Sequence, residues 1–296
     1  MRLPVRWAVA ALVAIGLIGA PLAVVAQTRP FAAVMIPADG YELAGYLSEG
    51  EDPSGTWVIF VHGNRAEGQA HVLYRRIAGN LPGDISVLSI DMRGFGNSPS
   101  EGLESSDRVL DRTGDIEAAV DYLGVEYGVQ DTQIVLIGHS LGALQVLKAG
   151  QSRGFRGVIS IGPGDFRSFL RDAESIARYA WKLGRAMGVP VSPDQIASEG
   201  QDLTAAALFD PCPESPTILM FGALEWRDSL RNAADQIPQA CAPALQWVTI
   251  PFSDHMYGTE LWALPEPLQS AVTWPMVFLL GIEVDFQLHE LREGDG

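Results

Sequence analysis

Six short apolar runs punctuate the chain, at residues 57–61, 87–90, 134–137, 158–161, 218–221 and 247–250. Each is apolar at nearly every position and most are rich in Val and Ile. A strand with one wet face would alternate, so unbroken runs of this length predict strands covered on both sides. Between the second and third runs, Ile116, Ala119, Val120, Leu123 and Tyr127 recur at helical spacing and predict a crossover helix. Strand, helix, strand repeated in this way implies an α/β fold: a mostly parallel central sheet with helices on both faces. Ahead of it, residues 31–36 and 41–47 flank Asp39-Gly40, the pattern of an antiparallel hairpin leading into the sheet.

The stretch between Ile161 and Thr217 is longer than a simple crossover needs. Residues 166–187 have helical character and residues 190–208 follow them, which predicts one crossover helix plus a modest helical cap within 165–210. Phe169, Tyr179 and Trp181 would give that cap an apolar underside. The first 26 residues stand apart from this domain, which spans residues 27–296. Arg2 and Arg6 precede an uncharged segment, residues 7–26, that ends in Val24-Val25-Ala26. A basic start, an apolar stretch and small residues at its end read as a secretory signal cleaved after Ala26, and hence as an exported protein. The rival reading is an uncleaved anchor, since the segment is long enough to span a bilayer. Membrane attachment is expected only through residues 7–26, if they are retained.

Composition narrows the partners. The chain has 296 residues, is 47% hydrophobic and carries a net charge of −16, to which Arg2 and Arg6 contribute positively. A chain of this size buries a large core without staples. Its acidity repels phosphate backbones and anionic lipid surfaces, so nucleic acid is excluded as a partner. The two cysteines, Cys212 and Cys241, each lie a few residues before a predicted strand. Parallel neighbouring strands would bring both to one edge of the sheet, where an exported protein can join them as a disulfide. That edge is the N-terminal one, away from the chemistry described next.

Gly138-His139-Ser140-Leu141-Gly142 follows the run 134–137 and precedes a helix-like stretch, residues 143–149. G-x-S-x-G between strand and helix reads as a sharp turn that lifts a serine hydroxyl above the sheet, with Ser140 as nucleophile. A serine hydroxyl is a poor nucleophile at neutral pH and needs an adjacent base. His255 fits, a short turn after the last run; His71, His139 and His289 do not share that placement. A carboxylate must then fix the histidine's tautomer. Glu225 follows the run 218–221 and is the favoured acid, Asp228 the alternative and Asp165 the third choice. Two backbone N–H groups must meet the developing oxyanion. Leu141, just past the serine, and Asn64, in His62-Gly63-Asn64 after the run 57–61, are the candidates. His62 is read as structural.

Each of these pieces lies just beyond the C-terminal end of a separate predicted strand, the edge where open α/β sheets bind ligands. The chain order is Ser140, Glu225, His255. On these motifs, together with residues 61–64 and the loop Asp91-Met92-Arg93-Gly94-Phe95-Gly96-Asn97-Ser98, the chain resembles the α/β-hydrolase fold superfamily over residues 30–281. The resemblance implies a serine hydrolase that cleaves a carboxylic ester or related small-molecule acyl substrate, with no cofactor, and a structural role for Arg93. Glu225 departs from the aspartate that most members carry, which keeps Asp228 in play.

Other classes use the same residues differently. Dehalogenases of this fold also carry His-Gly-Asn but use an aspartate nucleophile, which Ser140 argues against. A peptidase, thioesterase or perhydrolase could run on the same three residues. A catalytically silent binding protein of this fold is the alternative from outside enzymology, and intact Ser140, Glu225 and His255 weigh against it. The cysteines and histidines show no metal-ligand spacing, and the glycines at 94 and 96 open no dinucleotide-binding helix.

Overall fold

The computed structural model describes residues 29–52, 55–79, 81–100, 103, 108–225, 229–250 and 254–256. The leader and anchor readings of residues 1–26, and Asp228, fall outside them. Among the described residues no helix is long and apolar enough to cross a membrane.

Eight strands form one sheet. In chain order they are β1 (Ala32–Ala38), β2 (Tyr41–Ser48), β3 (Trp57–Val61), β4 (Ser86–Ile90), β5 (Ile134–His139), β6 (Gly157–Ile161), β7 (Thr217–Gly222) and β8 (Leu245–Ile250). In space they run β1-β2-β4-β3-β5-β6-β7-β8. β1 and β2 form the antiparallel hairpin, and β2 pairs antiparallel with β4. From β4 to β8 every pairing is parallel. The unbroken apolar runs become β3 to β7, in which every residue is buried. β1 lies at the border and is mostly exposed or half-buried.

Helices cover both faces. α1 (Val72–Gly79) packs Leu73, Tyr74, Ile77 and Ala78 against Val58 and Phe60 of β3 and Val135 and Ile137 of β5. On the other face, α2 (Thr113–Tyr127) and α3 (Leu141–Ala149) pack against Trp57, Ile59 and Val61. The alternation of β3 side chains between the two clusters follows from the two-residue period of a strand. In α2 the helically spaced Ile116, Ala119, Val120 and Leu123 are all buried, and Gly128, at φ 69°, ends the helix in the left-handed conformation.

The long segment after β6 is helical but not one helix. A 3-10 turn, Phe166–Ser168, is followed by α4 (Ala173–Met187), α5 (Pro193–Glu199) and the single turn α6 (Ala205–Leu208). The break falls at Asp172, whose side chain accepts the backbone N–H of Ser175 and starts a new helix. Trp181 is not part of an apolar underside. Ile176, Ala180, Leu183 and Met187 set the inward face of α4, and Trp181 is turned away from it, 60% exposed beneath the Arg185 guanidinium. Phe169 and Tyr179 do pack inward, against Phe166 at 5.4 and 5.1 Å between ring centroids.

Glu199 anchors this segment. Its buried carboxylate accepts the backbone N–H groups of Val109, Leu110 and Asp111 at 3.0, 2.7 and 3.2 Å, at the approach to α2. At the opposite, N-terminal edge of the parallel strands, Cys212 and Cys241 are joined as a disulfide ahead of β7 and β8.

Candidate active site

The turn between β5 and α3 is where the backbone is forced hardest. Ser140 has φ 55° and ψ −111°, and among the described residues no other non-glycine has positive φ. Only small neighbours tolerate the turn. A Cβ on Gly138 would lie 2.2 Å from the Gly142 carbonyl oxygen, and one on Gly142 would lie 2.4 Å from that of His62. The strained serine is thereby held at the N-terminus of α3, of which Leu141 is the first residue, its N–H facing out of the helix.

Three side chains from three strand ends meet here. His255, beyond β8, brings Nε2 to 2.9 Å from Ser140 Oγ. Its Nδ1 lies 2.7 Å from Glu225 Oε1, beyond β7. The carboxylate accepts, so Nδ1 carries the proton and the Nε2 lone pair faces the serine hydroxyl. The Glu225 side chain is 2% exposed and that of His255 13% exposed, so the pair interacts with little solvent between. A tight turn aims the acid, with the Glu225 N–H donating to the Gly222 carbonyl at 3.1 Å.

The remaining sequence candidates are placed as follows. Asp165, beyond β6, turns its carboxylate onto Arg167 at 2.9 Å rather than onto His255. Gly63, beyond β3, packs on the turn itself: a Cβ there would lie 2.9 Å from that of Ser140. Asn64 follows directly. His62 is fully buried and spans two loops. It accepts the Met92 N–H at Nε2 and donates from Nδ1 to the Gly63 carbonyl, at 3.0 and 2.6 Å. Burial holds its imidazole below the ordinary histidine range. Arg93 lies with its guanidinium 4.1 Å from the centre of the Tyr41 ring, and its backbone N–H donates to Asp115.

Two further residues crowd the site that the chain pattern did not single out for a role. Tyr74, on α1, accepts the Gly63 N–H at 2.9 Å and stands 3.1 Å from His139 Nδ1. His139 Nε2 lies 2.9 Å from the His255 carbonyl oxygen. Tyr74 reads in sequence as one more apolar-face residue, and His139 as the freely chosen residue of G-x-S-x-G. An open cleft of about 530 Å³ runs beside the segment after β6, lined by Asp165, Arg167, Ser168, Leu170, Arg171 and Gln201.

The model of the Alpha/beta hydrolase family matches residues 58–293. The chain belongs to that family. Membership supports hydrolase activity, and the strand order and elbow are those of an α/β hydrolase. Among solved structures, Est1E from Butyrivibrio proteoclasticus with ferulic acid bound is similar at a TM-score of 0.58 and 20% identity, covering 84% of this chain and 100% of that one. The Pyrococcus furiosus esterase Pf2001 is similar at a TM-score of 0.61 and 15% identity, covering 84% and 90%. Likeness at that identity speaks for the α/β-hydrolase fold alone. An uncharacterized protein of Salmonella typhimurium, YfhR, is 36% identical over 92 residues, a match that spans 31% of this chain and 29% of that relative.

Proposed function

We propose that this α/β hydrolase is a serine esterase that cleaves a carboxylic ester of a small acyl substrate through an acyl-enzyme. The observation that carries the reading is the continuous contact from Glu225 through His255 to Ser140, at 2.7 and 2.9 Å. His255 Nε2 takes the proton of Ser140 as Oγ bonds to the acyl carbon. Glu225 holds the imidazole in the required tautomer and stabilises its cation. The backbone N–H groups of Leu141 and Asn64 receive the negative oxygen of the tetrahedral intermediate. As the C–O bond breaks, His255 passes its proton to the departing alcohol. Water then gives a proton to His255, attacks the acyl carbon and releases the acid, and Ser140 recovers its proton.

The cleft beside residues 165–210 suits the role of a substrate wall, with the helices after β6 as its cap. An exported setting fits the same reading, since the first 26 residues read as a leader and a disulfide suits an oxidising compartment. The experiment is labelling of the purified protein with a fluorophosphonate, beside Ser140→Ala and Glu225→Gln. Wild type labels and turns over p-nitrophenyl esters, and Ser140→Ala does neither while melting at an unchanged temperature. Glu225→Gln loses about 10²- to 10⁴-fold in kcat. Turnover retained by Ser140→Ala rules the mechanism out.

A further inference from the structure

Tyr74 and His139 are each 1% exposed. Two polar side chains sunk this deep, beside a strained turn, must have their hydrogen bonds made within the protein. The direction of every bond follows from one end. The His255 carbonyl oxygen can only accept, so His139 Nε2, 2.9 Å away, carries a proton and donates it. Burial, reinforced by the nearby His255 imidazole, holds the His139 imidazole well below the ordinary histidine range and hence neutral. Its Nδ1 is then a bare lone pair, and the Tyr74 hydroxyl at 3.1 Å must donate to it. The hydroxyl oxygen is left to accept, and the Gly63 N–H at 2.9 Å supplies that bond. The four groups form one directed chain, from the N–H of the loop after β3 to the carbonyl of the residue that bears the base.

Both ends of that chain matter for the proposed chemistry. His139 precedes Ser140 in sequence, so the main chain of the base is tied to the peptide that carries the nucleophile. Tyr74 occupies the Gly63 N–H and thereby leaves the next one, on Asn64, as the donor that this loop offers to a substrate oxygen. It also fixes the height of the loop over the serine, which Gly63 approaches at 2.9 Å. A catalytic histidine displaced by about 1 Å costs on the order of 10²-fold in rate.

Resting on the esterase reading above, we propose that Tyr74 and His139 are positioning residues that set the distance from His255 to Ser140 and select Asn64 as oxyanion donor. The test uses Tyr74→Phe, which removes one hydroxyl, and His139→Phe, which keeps a planar ring but can neither donate nor accept. His139→Gln restores an N–H for the His255 carbonyl. For each, kcat and KM on a p-nitrophenyl ester are normalised to serines titrated with the fluorophosphonate, and the melting temperature is recorded. Positioning lowers kcat per titrated site by about 10- to 100-fold in both Phe variants, leaves KM within about threefold, and is largely rescued by His139→Gln. A purely structural role lowers the melting temperature and leaves kcat per titrated site within about threefold of wild type, and that result overturns the proposal. If His139→Phe does not fold, Tyr74→Phe decides alone. A wild type that never labels removes the esterase reading and this proposal with it; a labelled wild type with unaffected variants removes this proposal only.

Discussion

His62 and His139 are buried imidazoles whose protons are already committed, and this makes the protein sensitive to acid. Burial, the largest influence on each, keeps both below the 6.5 of a free histidine in the folded state. On acidification the unfolded chain takes up protons near that value while the folded one does not. Below about pH 6.5 the unfolded state binds more protons, so the stability present above it is lost as pH falls. The slope reaches about 1.4 kcal/mol per pH unit for each histidine that stays neutral. Urea midpoints measured between about pH 7 and pH 5 are expected to fall, and His139→Gln is expected to flatten the decline. An unchanged slope in that variant would place the acid sensitivity elsewhere. At this scale the turn at Ser140 was legible in sequence because it restricts positions 138 and 142 to glycine. Tyr74 was not, because a tyrosine on the apolar face of a helix looks the same whether or not its hydroxyl meets a histidine from another strand.

The elements followed the periodicity closely wherever burial was complete. β3 coincides with its apolar run because every side chain in it is enclosed. Where local side-chain bonds compete with periodicity, the pattern misled. Residues 166–187 have helical character throughout, yet Asp172 captures the Ser175 N–H and divides the stretch. Trp181 misled for the opposite reason: bulk suggested burial, and its angular position on α4 put it outside. Glu199 is the element-scale counterpart of a cap, one carboxylate serving three backbone N–H groups of a different segment. Glu199→Gln removes the charge and turns an N–H toward a donor. It is expected to cost about 2–4 kcal/mol. Denaturant titration measures this, and an unshifted midpoint would show that the segment is held by its apolar contacts alone.

For the whole molecule the sheet has a division of labour between its two edges. The side chains of the proposed mechanism gather beyond the C-terminal strand ends, and the Cys212–Cys241 bridge closes a loop with a sequence separation of 29 at the other. Loop-closure entropy predicts a contribution of about 3.5 kcal/mol. The double variant Cys212→Ala, Cys241→Ala should therefore unfold at lower urea than the oxidised protein, with kcat unaltered. A loss of kcat at full folding would mean that the bridge shapes the distant edge. The parallel order was readable from alternating strands and helices. The route of residues 165–210 was not, because it depends on contacts such as Glu199 with 109–111 that carry no periodic signature.

β8 is one of the two border strands among the described residues, and His255 lies beyond its end. The Ser140 turn belongs to the middle of the sheet, whereas the base that the proposed mechanism needs comes from its margin. On the esterase reading proposed above, a fold that lacks β8 is inert toward substrate. On that reading detachment of β8 alone is enough to end turnover, which makes activity a gauge of the sheet's margin rather than of its heart.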